Sequence, residues 1–160
     1  MSSVTIIEKA IKSGVLIEGL AVIPDKGATN EEITQEESRL PRRLSDQHKA
    51  LLRRWNGMNM DVMRLYGCAN VHPELRQLSD AQTDMFTGVC NYIVFGDDPS
   101  GFMYAEGDDG VIYSVQVSTG NVKELASSLD DFFERLVFGK DAKDFGGTDW
   151  EEELRDVGLL

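Results

Sequence analysis

Four short runs in the second half of this 160-residue chain constrain its fold more than any other feature. Residues 91–95, 101–106, 110–117 and 121–125 are rich in β-branched and aromatic side chains. They are divided by Asp97-Asp98-Pro99-Ser100, Gly107-Asp108-Asp109 and Ser118-Thr119-Gly120, residues that supply tight turns through their backbone freedom or local hydrogen bonds. Sequential strands joined by such turns predict an antiparallel meander. One face of the sheet then needs a cover, and the next segment offers it. Ser128 and Asp131 have capping spacing, and Leu129, Phe132, Phe133, Leu136 and Val137 fall on one helical face before Gly139. The fold class expected is α+β: a single domain over residues 1–160, mainly antiparallel sheet flanked by helices.

The first half supplies the flanking elements. Ser3 can cap a helix carrying Val4, Ile7, Ala10 and Ile11, with Gly14 as its stop. Residues 15–23 read as a strand ending at Pro24. Thr29 and Glu32 have capping-box spacing for a helix to about Arg39, and Pro41 breaks it. Ser45 precedes the clearest helix, where Leu44, His48, Leu51, Leu52 and Trp55 share one stripe. Asn56 and Gly57 end it, with Gly57 expected at positive φ. Residues 60–66 read as a strand. Residues 67–90 show little pattern beyond a short helix that Pro73 could open through Leu78. After the closing helix, residues 140–147 are polar and flexible in composition, and residues 149–154 predict a last short helix anchored by Trp150.

Charge is distributed unevenly. Residues 1–80 hold 11 acids and 11 bases, so the whole net charge of −12 lies in residues 81–160, with 17 acids against 5 bases. Such a surface repels nucleic-acid phosphates and anionic lipid, and it steers association with a basic partner. No apolar run approaches the roughly 20 residues that span a bilayer. Two cysteines, Cys68 and Cys90, fit a reducing compartment, and the expected location is the cytoplasm.

Catalytic patterns are missing: the chain has no Gly-x-Ser-x-Gly elbow, no phosphate-cradling Gly-x4-Gly-Lys-Ser/Thr loop and no His-Glu-x-x-His. Cys68 and His72 are four residues apart, but nothing nearby completes a zinc set, so no metal and no cofactor are expected. His48, on an apolar stripe, is expected to be packed with a hydrogen-bond partner. Asp97, Asp98, Asp108 and Asp109 lack the alternating spacing of an EF-hand and read first as turn residues.

Two blocks carry a resemblance. Glu37-x-x-Leu40-x-x-x-Leu44, the helix from Ser45 and Trp55-Asn56-Gly57 form the first. Ile93-Val94-Phe95-Gly96-Asp97, Gly101-Phe102-Met103-Tyr104, Gly110-Val111-Ile112-Tyr113 and Leu125-Ala126-Ser127-Ser128-Leu129-Asp130-Asp131-Phe132 form the second. In order and kind they resemble the SUKH superfamily, which includes a fungal regulator of cell-wall glucan synthesis and many bacterial toxin-immunity proteins. Pro41 stands where that family usually has Gly, Ser45 where it has Pro, and His48 where it has an aromatic residue. Residues 1–28, read as a helix and a strand, lie outside the matched blocks, and residues 140–160 form an acidic extension. The resemblance implies a non-enzymatic binding protein of the immunity type. It would dock on a protein toxin domain, commonly a nuclease or other nucleic-acid-modifying domain and hence basic, and bind neither nucleic acid nor membrane. Asp97, Asp98, Glu106, Asp108 and Asp109 are the residues expected to contribute to that contact. The alternative is a regulatory adaptor that binds a signalling or cell-wall biosynthetic protein. A small hydrolase using surface carboxylates ranks last, because no nucleophile and base can be paired.

Overall fold

The structure is a computed structural model and describes residues 1–17 and 19–160. Helices α1 (Ser3–Ser13), α2 (Asn30–Glu37) and α3 (Asp46–Arg54) precede a sheet of β1 (Met58–Asn59), β2 (Arg64–Leu65), β3 (Ile93–Asp97), β4 (Phe102–Glu106), β5 (Ile112–Gln116) and β6 (Val122–Ala126). Helix α4 (Leu129–Asp131) runs directly into a π-helical turn (Phe132–Val137), and α5 (Ala142–Asp156) ends the chain's regular structure. The sheet order is β1-β2-β3-β4-β5-β6 with every pairing antiparallel, so the meander is real and extends two short strands further than the sequence suggested. The fold is α+β.

Side-chain caps start helices α1 to α4. Thr29 Oγ1 accepts from the Glu32 amide and Glu32 returns the bond to the Thr29 amide, a complete capping box. Ser45 Oγ accepts from the His48 amide, and the predicted α3 stripe of Leu44, His48, Leu51, Leu52 and Trp55 is buried throughout. Gly57 follows at φ 78, where an added Cβ would come within 3.0 Å of the Leu65 carbonyl. Asn56 Oδ1 accepts from the Cys68 amide at 2.6 Å, tying the end of α3 to the segment beyond β2.

One aromatic layer joins sheet to helices. Phe95 on β3 and Tyr104 on β4 meet Phe132, with ring centroids 5.8 and 5.5 Å apart, and Tyr104 also meets Phe145 of α5 at 5.7 Å. Leu129, Phe132, Phe133, Leu136 and Val137 are all buried, as their spacing predicted. They occupy a π-helical turn rather than a plain α-helix, closed by the Phe138 amide donating to the Phe133 carbonyl. Gly139 follows because its backbone passes so close that a Cβ would lie 1.9 Å from the Glu134 carbonyl oxygen.

Several expectations are corrected. Helix α1 is capped by Ser2, not Ser3. Among the described members of residues 15–23 no strand forms: Gly19 takes φ 91, the Leu20 and Ala21 amides turn back to the Ile17 carbonyl, and Val22 makes an isolated bridge to Asn59. Glu18, part of that expected strand, lies outside the described residues. Residues 60–66 are not one strand but the turn and second arm of the β1–β2 hairpin. Asp61 adopts φ 69 with its amide held by Asn59 Oδ1, and the Met60 amide reaches the Met63 carbonyl. Pro73 opens no helix; a single 3₁₀ turn, Leu78–Asp80, forms instead. Residues 142–146 are helical, and Gly147 at φ 88 kinks α5 before the segment anchored by Trp150, whose Nε1 donates to the Val137 carbonyl at 2.7 Å.

Candidate partner-binding surface

The meander fixes where the acidic turns can be. Consecutive hairpins alternate ends, and the register pairs Asp97 with Met103 at one end of β4 and Ile93 with Glu106 at the other. Five residues at strand rise put these ends roughly 13 Å apart. Asp97 and Asp98 are therefore brought together at one end, and Glu106, Asp108 and Asp109 at the opposite one.

At the first end Asp97 is turned inward. Arg64 grips it with two parallel bonds, Nε to Oδ1 and Nη2 to Oδ2, both 2.7 Å, and the Tyr66 hydroxyl donates to Oδ2 at 2.8 Å. Burial and then the Asp97 bond push the Tyr66 phenol up, so it stays a donor, and the Asp97 bond also raises Arg64. Asp98 is half-buried and organises the turn: Oδ1 accepts from the amides of Ser100 and Phe102, and Oδ2 from the Tyr104 hydroxyl.

At the second end Glu106 is buried at 1 % exposure. Ser45 Oγ donates to it at 2.9 Å and Arg42 Nη2 approaches at 3.4 Å. Burial raises its pKa, against the opposing pull of Ser45 and Arg42. Arg42 also donates to the carbonyls of Asn91, Glu106 and Gly107, so one guanidinium clamps the root of the β4–β5 turn to the segment before α3. Asp108 and Asp109 stand exposed above this clamp. Asp109 Oδ1 accepts from the Val111 amide, and Asp108 Oδ2 accepts from Asn91 Nδ2.

Of the five expected contact residues, Asp98, Asp108 and Asp109 thus present charge outward, while Asp97 and Glu106 hold the hairpins in place. Their partners Arg64 and Arg42 were not singled out from the sequence. Arg64 left a usable trace: a charge set among Val62, Met63, Leu65 and Tyr66 can be answered across a sheet by an opposite charge.

His48 is 2 % exposed beside Phe95, with a cavity of about 10 Å³ next to it. Contrary to expectation, its Nδ1 has no hydrogen-bond partner among the described residues. Burial, followed by repulsion from Arg42, pushes its pKa down to about 3. Cys68 and Cys90 are both free thiols, one buried and one exposed. Burial pushes the Cys68 thiol up to about 12, and a hydrogen bond with Asp108 raises Cys90. Among the described residues no three His, Cys, Asp or Glu side chains gather closely enough to hold a metal ion, and no helix is long and apolar enough to cross a membrane.

The protein family described as SMI1 / KNR4 family (SUKH-1) matches residues 27–135, 109 of the 160. The match contains both hairpin ends and the Arg42–Ser45–Glu106 clamp. No curated protein matches the chain.

Proposed function

We propose that the chain, which belongs to the SMI1 / KNR4 family (SUKH-1), is an immunity-type protein that docks on a basic toxin domain and blocks it. The family includes immunity proteins and regulators and is generally non-catalytic. The observation that favours the immunity reading is the outward acidic charge on rigidly built turns in a half-chain of 17 acids and 5 bases. A toxin that acts on nucleic acid needs a positive cleft, and fixed carboxylates can occupy that cleft in place of phosphates. Residues Asp98, Asp108 and Asp109 supply the charge; Asp97 and Glu106 supply the rigidity. The 13 Å between the two ends is no obstacle, since a typical interface covers about 800 Å² on each partner. Docking in the cytoplasm, without a cofactor, completes the reading.

The test is capture of the protein encoded by the adjacent gene, with association followed at low and high salt. Capture that weakens with salt, and association slowed severalfold by Asp108→Lys or by Asp98→Asn, is the expected result. An association rate and salt dependence unmoved by both variants would remove these surfaces from the contact. Neutralisation of a neighbouring toxin separates this reading from a regulatory adaptor, which would bind a biosynthetic or signalling protein instead.

A further inference from the structure

A groove of about 240 Å³ opens beside the Asp98 turn, between the β4–β6 face of the sheet and α5. Phe102, Tyr104 and Phe145 line it, with Leu125 and Leu136 completing the apolar part. Asp98 and Asp144 stand on its wall. Asp98 is held by the three bonds of its turn, whereas Asp144 is exposed and has no ion-pair partner among the described residues. Ser114 also lines the groove, where its hydroxyl has no protein partner among the described residues and is open to solvent, free to accept a hydrogen bond.

We propose that this groove is the socket for an arginine side chain of the docked partner protein. The inference deepens the docking reading above and rests on it. The chemistry selects the occupant. The groove is smaller than the ~300–1,000 Å³ of typical small-molecule sites, which suits one inserted side chain. Aromatic faces and two carboxylates attract a planar cation that can stack and fork at once, and guanidinium has that combination where ammonium lacks it. The Ser114 hydroxyl accepts from one of its N–H groups. Lys123 also lines the groove and opposes the cation, so it limits the affinity for arginine. An arginine seated there packs its planar head and apolar stem against the aromatic faces as well as pairing with carboxylate, a contact that the exposed turn carboxylates alone do not offer.

The test is a titration of ¹⁵N-labelled protein with N-acetyl-arginine amide, alongside N-acetyl-citrulline amide and N-acetyl-glutamate amide. Saturable shifts at the Phe102, Ser114 and Phe145 amides with the arginine compound alone are expected. Asp144→Asn should weaken binding and Lys123→Glu strengthen it, each by roughly threefold, the scale of an exposed ion pair. Asp108→Lys, at the other end of the sheet, should change nothing. Absence of saturable shifts in the groove, equal shifts with citrulline, or preference for glutamate would overturn the proposal. The titration contains no partner, so its failure removes the socket and leaves docking to the capture experiment. Arginine binding in a chain that captures no partner would remove the docking reading instead.

Discussion

His48 is a buried imidazole with one ring nitrogen unanswered, and that makes it the residue with the clearest pH signature. Its folded pKa of about 3 lies below the unfolded value near 6.5, so the unfolded chain takes up the proton first. Stability from this group is therefore full above pH ~6.5 and is lost as pH falls toward 3, at up to about 1.4 kcal/mol per pH unit. His48→Phe removes the titrating group at a site already flanked by Phe95, and the small adjoining cavity accommodates part of the larger ring. Denaturant unfolding at pH 7 and pH 5 should show a smaller acid loss in the variant than in the parent; equal losses would reject His48 as the source. At this scale the sequence disclosed the burial of His48 through its stripe, but not its missing partner, because hydrogen-bond satisfaction depends on what lies across the core.

Among the elements, the edge of β3 is completed by a side chain. Strand β2 reaches only Gly96 and Asp97, and beyond it the Gln82 amide takes over: Oε1 accepts from the Val94 amide and Nε2 donates to the Val94 carbonyl. Gln82→Ala leaves both groups of a buried strand unanswered, at about 1–3 kcal/mol, and the Val94 amide should exchange with deuterium much faster than its neighbours. Retained protection at Val94 would show that the bond is dispensable. This kind of construction explains what the sequence concealed. The four later strands and α3 were legible because turn residues and helical stripes repeat at known spacings. Residues 67–92 are instead shaped by single long-range bonds, such as Gln82 to Val94 and buried Glu36 to the Ser79 amide and Gln77, and such bonds have no period. The β1–β2 hairpin escaped because each arm has two residues. Likewise the acids of the turns were visible, yet the inward rotation of Asp97 and Glu106 was not, since the arginines that hold them are 33 and 64 residues away.

For the whole molecule, the core extends past the family match. Ile6, Ile7 and Ala10 at one terminus and Ala142, Trp150 and Leu154 at the other are buried with the matched residues in one cluster. Trp150 packs on Phe138 at 5.8 Å and bonds the Val137 carbonyl, fastening α5 over the π-helical turn. Trp150→Ala should cost about 3–5 kcal/mol, read as a lowered melting temperature and a lowered denaturant midpoint. A loss below about 1 kcal/mol would mean that α5 is not part of the cooperative unit.

The turns at the two ends of β4 satisfy much of their own hydrogen bonding: Asp98 serves the amides of residues 100 and 102, and Asp109 serves that of residue 111. Replacement residues that keep those local bonds leave the framework undisturbed, and among the described residues no side-chain hydrogen bond runs from one tip to the other. If the proposed docking holds, the two tips would act as separate dials on specificity, set into a chassis that need not be rebuilt.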